Sequence, residues 1–513
     1  MKLNYETLRD KILGCWQGKN AGGTLGAPFE GKRGISDITW YKQKDIENNP
    51  PANDDLDLQI AWLHAVEEYG PTVSASVLGE YWLTYVTPNW SEYGIGKSNM
   101  RRGFAPPLSG KVENYYKDSC GCFIRSEIWA CLAPGLPEIA TRYACLDGCV
   151  DHADEGLYGE IFFAAVQSAA FVESDTDTLI DIGLSYIPKE CAVAAAINLV
   201  RKAYKEGRTW KEACKELFAK IPGAFSACWM KIKDQNPDEM APTHIGFDAP
   251  NNIGITLIGW LWGEGDLGKS ICIAASCGED ADCSAATVGA IVGIINGEKK
   301  LPEKWIKPFG GIIKTICLEP NSELRIPKTV TEFTDRILAC IPKILPVKNI
   351  DLISDNGRFE VITADTMFAD RDEYLQNGRR DCEIRPFKTE EIVDMKGYTQ
   401  FFVFDFFKAS VELEREPYIG AGETFSLKIK LYDSGMVRSQ QWVNGNVYVS
   451  AGLSVESGAH FSLPLHNSYK FKSEHTVTLR ADNLVNPVND VLIDLEINGR
   501  HSYGVAKIKL ISK

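Results

Sequence analysis

The sequence predicts a multidomain protein in which a large all-α domain is followed by a small all-β, immunoglobulin-like sandwich. Apolar residues recur every three or four positions up to about residue 346 and alternate with polar residues from residue 401. The composition changes in the same region, since all fifteen cysteines lie at or before Cys382 and eleven of the twelve tryptophans at or before Trp305. We therefore expect an all-α domain over residues 1–346, a linker or packing segment over residues 347–398, and a β-sandwich over residues 399–513.

The all-α domain is expected to contain about a dozen helices, many of them lined by alanine and glycine so that they can pack closely. The segments with helical spacing are ETLRDKILGCWQGKNAGG, DLQIAWLHAVEEYG, RSEIWACLAPG, GEIFFAAVQSAAFVES, TLIDIGLSYI, KECAVAAAINLVRKAYKEG, TWKEACKELFAKI, NIGITLIGWLWGEG, KSICIAASCGED and CSAATVGAIVGIING.

The C-terminal region is expected to form six or more short strands, which is typical of a β-sandwich. The alternating segments are FFVFDFF, FSLKIKLYD, NVYVSAGL, HTVTLRA, DVLIDLEI and YGVAKIKLI. The sequence NGR at residues 498–500 predicts a hairpin turn. The polar segment before these strands either packs on both domains as a linker or supplies the first strand of the sandwich.

The composition excludes several classes of protein. A net charge of −14 without a compensating basic block argues against binding to nucleic acid or to anionic membranes. The N-terminus lacks the apolar core of a secretory signal, and no stretch is long enough to span a membrane, so we expect a soluble, cytoplasmic protein. The scattered cysteines are expected to be reduced core thiols. A structural zinc site is not expected, because Cys120 and Cys122 have no second pair at ligand spacing.

Two acidic clusters carry most of the functional signal: NDDLDLQ at residues 53–59 and GEDADCS at residues 278–284. Each crowds carboxylates beside apolar helical sequence, where like charges would repel without a counter-charge. A hard divalent cation shared between the clusters would resolve this, because Asp and Asn oxygens suit Mg²⁺, Mn²⁺ and Ca²⁺. Acidic residues also cap helices, but Asp57 exceeds what a cap needs, and capping alone would have to explain both clusters.

A glycine-rich loop, GKNAGGTLGAPFEG at residues 18–31, follows the first helix and delivers Glu30 just after Pro28. An ordinary helix C-cap and turn would give the same pattern. The loop lacks the Lys-Ser/Thr ending of a P-loop, and no strand precedes it as in a dinucleotide-binding fold.

Three further segments could contact a ligand. Residues 89–110, with Asn89, Trp90 and Lys97, read equally well as a ligand-lining loop or an ordered surface loop. The turn with Ser119 and Gly121 opens a helix and could donate backbone N–H groups to phosphate, or be a plain capped helix. His152 stands in a polar turn and can contact a ligand, although a lone histidine is more often structural.

In this order and spacing, the segments resemble the ADP-ribosylglycohydrolase family, the dinuclear-magnesium enzymes that include dinitrogenase reductase-activating glycohydrolase. The resemblance covers roughly residues 8–305. LGAPFEG is similar to the family's Gly-Ala-Pro-x-Glu loop, NDDLDLQ to its Thr/Asn-Asp-Asp motif and GEDADCS to its Asp-x-Asp-Thr/Cys helix start. SCGCFIR resembles the Gly-Asn-Gly-x-x-x-Arg segment and VDHADEG the Thr-His segment.

The resemblance implies an ADP-ribosylglycohydrolase-like fold and two bound divalent cations, Mg²⁺ first, with Mn²⁺ and Ca²⁺ as alternatives. The implied metal ligands are Asn53, Asp54, Asp55, Asp280, Asp282 and Cys283. The expected catalytic residues are Glu30, Asp55 and Asp280. The expected substrate-binding residues are Asn89, Trp90, Lys97, Ser119, Gly121 and His152.

The chain departs from the family pattern at three positions. Gly23 stands where the family commonly has aspartate, so one carboxylate is absent. Asn53 and Cys283 replace hydroxyl residues. Because a thiol is a poor ligand for Mg²⁺, we expect Cys283 to contribute only its backbone, and Asp57 could compensate.

The predicted function is that of a metal-dependent hydrolase of the C1 glycosidic bond in an ADP-ribosyl conjugate or related ribosyl or furanoside substrate, free or on a modified protein. Two alternatives stay open: a glycoside or nucleoside hydrolase acting on a free small sugar, and a non-catalytic ADP-ribose-binding or metal-binding protein.

Overall fold

The computed structural model describes residues 1–32, 34–221, 246–352, 358–375, 397–404, 407–433, 441–465, 473–483, 486–498 and 503–513. The chain divides into two compact units. The first comprises Met1–Gly96 and Glu113–Cys382, and the second Lys97–Val112 and Glu383–Lys513.

The described helices fall almost entirely in the N-terminal two thirds of the chain. They are α1 (Tyr5–Gly26), α2 (Asp54–Tyr69), α3 (Ala75–Tyr85), α4 (Ser91–Arg101), α5 (Leu108–Lys111), α6 (Ser126–Leu132), α7 (Pro137–Gly148), α8 (Asp154–Ala169), α9 (Thr176–Ser185), α10 (Ala192–Lys205), α11 (Trp210–Lys220), α12 (Ala249–Gly263), α13 (Leu267–Ser276), α14 (Ala281–Asn296), α15 (Glu303–Ile306), α16 (Val330–Ile344) and α17 (Arg371–Glu373).

The described strands are two to ten residues long and mostly C-terminal. They are β1 (Lys2–Leu3), β2 (Ile350–Leu352), β3 (Phe359–Ile362), β4 (Thr399–Val403), β5 (Phe407–Leu413), β6 (Tyr418–Ile419), β7 (Thr424–Asp433), β8 (Gln441–Val449), β9 (Leu453–Ser457), β10 (His460–Leu465), β11 (Ser473–Ala481), β12 (Val488–Ile497) and β13 (Tyr503–Ser512). The mainly helical N-terminal region followed by sheets confirms the predicted fold class.

The packing of α1 against α14 organises the first unit. The ideal Cβ positions of Gly14, Gly18 and Gly22 on α1 would lie 2.3, 2.0 and 2.0 Å from backbone oxygens of α14. These glycines recur every four residues, so they form one stripe along the helix. The stripe allows the two backbones to touch, because a Cβ at any of these three positions would collide with α14.

The two helices run antiparallel, because the contacts pair Gly14 with Gly293 and Gly26 with Ala281. The C-terminal end of α1 therefore lies beside the N-terminal end of α14. The glycine-rich segment predicted as a loop over residues 18–31 is thus helix as far as Gly26, and its remainder brings Glu30 to the second acidic cluster.

A small three-stranded sheet of order β1-β3-β2 completes the first unit. Lys2 pairs with Ile362 and Ile350 with Val361, both antiparallel. Part of the segment expected as a linker is thus strand, paired with the N-terminus rather than with the sandwich. Residues 353–357 and 376–396 of that segment lie outside the described residues.

The second unit is built on two five-stranded sheets, of order β10-β8-β12-β13-β6 and β4-β5-β7-β11-β9. Alternate side chains of both sheets, such as Val411 and Ile493, are fully buried in one shared apolar core, as expected for a sandwich. Ala105, from Lys97–Val112, joins this core. The predicted turn at residues 498–500 lies mostly outside the described residues.

No helix among the described ranges is both long and apolar enough to cross a membrane. The described cysteines are all free thiols, and all but Cys272 are buried.

Candidate active site

The loop after α1 and the start of α14 meet at a cluster of carboxylates. Gly31 donates its backbone N–H to the carbonyl of Glu279 at 2.9 Å, and Lys32 and Glu279 form an antiparallel bridge. Carboxylate oxygens of Glu30, Asp280 and Asp282 lie within 4.8 Å of one another. The close packing of α1 on α14 therefore delivers Glu30 to the second acidic cluster.

The first acidic cluster reaches the same place from α2. The Asn53 side chain caps this helix by accepting the N–H of Asp55 at 2.8 Å. The thiol of Cys283 donates to the Asp55 carboxylate at 3.3 Å, which joins the two acidic segments directly. Capping and clustering thus occur together, and the assignment of these residues as metal ligands stays a prediction.

Several buried oxygens of this cluster have no hydrogen-bond partner among the described residues. They are Asp55 Oδ2, Asp280 Oδ1 and Asp282 Oδ1, on side chains that are at most 5% exposed. A buried acidic oxygen without a donor is costly, and a cation is the partner that such groups commonly take. The donor set, carboxylates with one amide nearby, is also that of a hard divalent cation. The residues present therefore fit the metal that the sequence implies.

The pKa values of the cluster report the same crowding. Burial, followed by the charges of Asp55 and Asp54, raises the pKa of Asp282 to about 7. Burial also raises the pKa of Asp55 to about 7, against the lowering effect of Lys19. Glu30 is exposed as a residue, but its carboxyl group faces the cluster. Partial burial and the charges of Asp282 and Asp54 raise its pKa to about 8. Without a cation, protons occupy part of this cluster near neutral pH.

Two buried side chains to which the sequence pattern gave no role, those of Lys19 and Gln59, support the cluster. Lys19, near Asp55, forms an ion pair of 3.1 Å with Glu127 and donates to the carbonyl of Ile124 at 2.8 Å. Gln59 donates to Glu127 at 3.0 Å. Lys19 lies in the glycine-rich segment, but nothing local shows that its side chain turns inward.

Asn252 holds the start of α14. Its side-chain oxygen accepts from the backbone N–H of Asp280 at 3.1 Å, while its amide donates to the carbonyls of Gly246 and Asp248. Consecutive asparagines at the start of the apolar α12 were the only signal available in the sequence.

Asp57, in the first acidic cluster, holds a distant loop through one of its two carboxylate oxygens. Its Oδ2 accepts the backbone N–H groups of Ile316 and Cys317, each at 2.6 Å. One oxygen is therefore committed to holding a distant loop, whereas Oδ1 is buried without a hydrogen-bond partner among the described residues, so the compensating ligand role of Asp57 stays a prediction.

Ser119, Gly121 and His152 lie together in the interior. The Ser119 hydroxyl is 2.8 Å from Nε2 of His152, and a Cβ on Gly121 would lie 2.0 Å from Oε1 of Glu92. The backbone N–H groups of Ser119 and Cys120 already donate to protein carbonyls. Those two amides are thus not free for the phosphate contact expected of this turn.

Arg125 anchors this region. Its guanidinium pairs with Asp147 at 2.8 Å and with Asp151, and all three side chains are buried. His152 Nδ1 lies 3.0 Å from Asp151. The Gly-x-x-x-Arg spacing noted in the sequence therefore serves an internal ion-pair network.

The segment at residues 89–110, expected as a loop, is helical over Ser91–Arg101 and Leu108–Lys111. It reaches the acidic cluster through Tyr93, which sequence reasoning missed. Tyr93 donates to Asp54 Oδ2 at 3.0 Å and stacks on the exposed Trp90, with ring centroids 6.2 Å apart. Asn89 is exposed beside Trp90. Lys97 belongs to the second unit and is 1% exposed. The substrate-binding roles of these residues stay predictions.

A cleft opens on the first acidic cluster, at the position where a carboxylate of the family pattern is absent. A Cβ on Gly23 would lie 2.5 Å from the side-chain nitrogen of Asn53, so the asparagine occupies that space. The cleft is lined by Lys19, Asn20, Gly23, Pro51, Asn53, Asp55, Leu56 and Lys314.

Comparisons with known proteins agree with the sequence motifs. A sequence model described as ADP-ribosylglycohydrolase matches residues 4–336. One similar solved structure is titled "ADP-ribosylglycohydrolase-related protein complex", with 16% identity and a TM-score of 0.41, covering 66% of this chain and all of that chain. A comparison with curated proteins finds no match.

Proposed function

Because the chain belongs to the ADP-ribosylglycohydrolase family, we propose that it is a metal-dependent hydrolase of the C1 glycosidic bond in an ADP-ribosyl conjugate or related ribosyl substrate. One observation carries the proposal. Carboxylates from the loop after α1 and from the start of α14, those of Glu30, Asp280 and Asp282, converge within 4.8 Å. Family membership supports glycosidic-bond hydrolysis. The converging carboxylates are the groups that hold cations and transfer protons in such hydrolysis.

The cations would be held by Asp54, Asp55, Asp280 and Asp282, whose buried oxygens include three to which no described residue donates. When bound, divalent cations supply polarisation of sugar hydroxyls and activation of water. Asn53 would contribute less, because its side-chain oxygen already caps α2.

Glu30 is the proposed general base, with a carboxylate oxygen as the proton acceptor. It lies at the exposed rim of the cluster, where water and substrate can reach it, whereas Asp280 is buried. A base with a pKa near the working pH transfers protons efficiently, and Glu30 starts from a raised value of about 8 that cations would lower.

The aromatic pair of Trp90 and Tyr93 would orient the substrate. Trp90 is 49% exposed and offers a flat apolar face, while Tyr93 donates to Asp54 and so fixes that carboxylate. Because Tyr93 stacks on Trp90, a sugar or purine ring would pack on the exposed remainder of the Trp90 ring.

Turnover on a substrate panel tests the proposal. ADP-ribosyl-arginine, ADP-ribosyl-serine, a nucleoside and a free furanoside are incubated with the full-length protein and Mg²⁺ or Mn²⁺, and the released sugar is measured. We expect release from an ADP-ribosyl substrate, abolished by Asp282→Asn and lowered about 10²- to 10⁴-fold by Glu30→Gln. Release from the furanoside or nucleoside alone would favour the free-sugar alternative.

Asp266→Asn is the matched control, because Asp266 caps α13 by accepting the N–H of Lys269 at 2.7 Å and is exposed. Normal turnover in Asp282→Asn would overturn the site. Binding of ADP-ribose without release of product from any substrate would replace the hydrolase with a binding protein.

A further inference from the structure

Two thiols lie at the inner side of the acidic cluster, in a group with Asp280. Cys120 opens the short helical turn Cys120–Arg125, and Cys283 lies in the first turn of α14. The Cys120 thiol donates to Asp280 Oδ2 at 2.7 Å, and one ligand atom each of Cys120, Asp280 and Cys283 lies within 4.8 Å of the others. All three residues are buried.

This group is one of two among the described residues that could hold a metal ion. The other, Glu30, Asp280 and Asp282, offers oxygen alone. Asp280 belongs to both. It is 5% exposed, and its Oδ1 has no partner in the part of the chain that the structure describes. Asp280 accepts the Cys120 thiol through one oxygen and has a second oxygen to offer, so it is placed to serve both neighbouring metal positions.

The chemistry of the two positions differs. Oxygen ligands suit Mg²⁺, Ca²⁺ and Mn²⁺, whereas thiolates select softer cations such as Zn²⁺. Two sulfurs and one carboxylate are three protein ligands, the number that catalytic zinc sites use, with a fourth position left for water or substrate. Cys120 stands where the similar Gly-Asn-Gly-x-x-x-Arg segment of the family has asparagine, and Cys283 stands where the family's helix start has threonine or cysteine.

We propose that Cys120, Cys283 and Asp280 bind a thiophilic divalent cation of the Zn²⁺ type, beside the oxygen-only position of Glu30, Asp280 and Asp282. Each thiol gives its proton to solvent as its sulfur bonds to the metal. The inference rests on the proposed function in that both place a cation at this cluster, but it does not depend on which bond is hydrolysed.

Cobalt spectroscopy tests the proposal without reference to activity. Co²⁺ is added to the metal-free, full-length protein under reducing conditions, and the near-ultraviolet spectrum is followed for a thiolate-to-cobalt charge-transfer band. We expect the band to appear at saturation with Co²⁺ and to disappear on addition of Zn²⁺. Co²⁺ binding without the band would mean that only oxygen atoms ligate, and would overturn the proposal.

Variants assign the band to its ligands. Cys283→Thr and Cys120→Asn, which introduce residues of the family pattern, should each weaken the band and lower the affinity for Zn²⁺ by more than about 100-fold. Loss of a residue that only supports a ligand lowers metal affinity by up to about 100-fold, so a larger loss indicates a direct ligand. Cys214→Ser is the control, since Cys214 is buried against the thiol of Cys277 but belongs to neither metal-capable group.

Circular dichroism of each metal-free variant shows whether it folds, and the second cysteine variant serves if the first does not. A band that survives in a folded Cys283→Thr and a folded Cys120→Asn protein refutes the assignment. Failure of this inference is distinct from failure of the proposed function. Turnover with Mg²⁺ and no charge-transfer band would overturn the thiol site alone, whereas the band without turnover would overturn the hydrolase alone.

Discussion

Replacing Gly18 with alanine tests whether backbone contact between α1 and α14 holds the acidic cluster in place. A Cβ at Gly18 would lie 2.0 Å from the carbonyl oxygen of Gly289, and a Cβ at Gly289 would lie 2.2 Å from the carbonyl oxygen of Gly18. Ordinary van der Waals contact begins at 3.4 Å. The two helices must therefore move apart by roughly 1 Å or more to admit one methyl group.

Two opposing terms set the magnitude. Alanine is favoured over glycine in a helix interior by about 1 kcal/mol. Overpacking a tight core costs about 1–3 kcal/mol, and the upper end applies here because the obstructing atom is backbone rather than a movable side chain. We expect Gly18→Ala to lower the free energy of unfolding by about 2 kcal/mol.

Urea denaturation followed by tryptophan fluorescence measures this change in the first unit, because eleven of the twelve tryptophans lie at or before Trp305. Thr7→Ala is the control, since Thr7 lies on the exposed face of α1 and its replacement should change stability by no more than about 0.5 kcal/mol. Mn²⁺ affinity should fall with stability, because separation of the helices moves Glu30 away from Asp282. A Gly18→Ala protein as stable as the wild type would refute the packing argument.

Two further predictions concern other carboxylates. Asp57→Ala leaves two backbone N–H groups without their acceptor and should cost about 2–4 kcal/mol in urea unfolding, whereas Asp57→Asn keeps an acceptor and should cost less; equal stability of both variants and the wild type would contradict this. In EDTA, the raised pKa values of Glu30, about 8, and Asp282, about 7, mean that the folded protein binds more protons than the unfolded chain above about pH 4. The stabilising contribution of these two carboxyl groups is therefore complete below about pH 4 and is lost as the pH rises to about 8. The Tm of the wild type should fall more steeply over this range than the Tm of Asp282→Asn. A steeper fall in the variant would contradict the sign of this argument.

Much of the first unit could be predicted because its signals are local. Helical periodicity and the glycine and alanine lining gave close-packed helices, and the four-residue spacing of Gly14, Gly18 and Gly22 is the physical reason that α1 and α14 touch. The acidic segments were also readable, since crowded carboxylates beside apolar sequence need a partner wherever the chain brings them. The order of these segments resembles the ADP-ribosylglycohydrolase family, and the match of that family's sequence model to residues 4–336 confirms the resemblance.

Other features could not be read because they depend on distant parts of the chain. The two-residue strand β1 gains its partner from residues 359–362, so no local pattern marks it. The ion pair of Lys19 with Glu127 forms between separate helical segments, and either residue alone resembles an ordinary surface charge. Cys120 and Cys283 are far apart in the sequence, so ligand spacing does not relate them, whereas the structure brings their sulfur atoms within 4.8 Å of each other.

The departures from the family pattern are paired in space, which argues that they are adjustments of one site rather than signs of its decay. The side-chain nitrogen of Asn53 lies 2.5 Å from where a Cβ of residue 23 would be, so an aspartate there and this asparagine could not both keep their positions. Glycine at position 23 is the counterpart of asparagine at position 53. Cys120 and Cys283 likewise meet at Asp280 although they come from different segments. A decaying site would lose its buried carboxylates first, because unpaired acids in the interior cost stability and no longer bring function. Asp55, Asp280 and Asp282 all remain, each with an oxygen that has no partner within the described ranges, and Cys283 and Cys120 donate to Asp55 and Asp280.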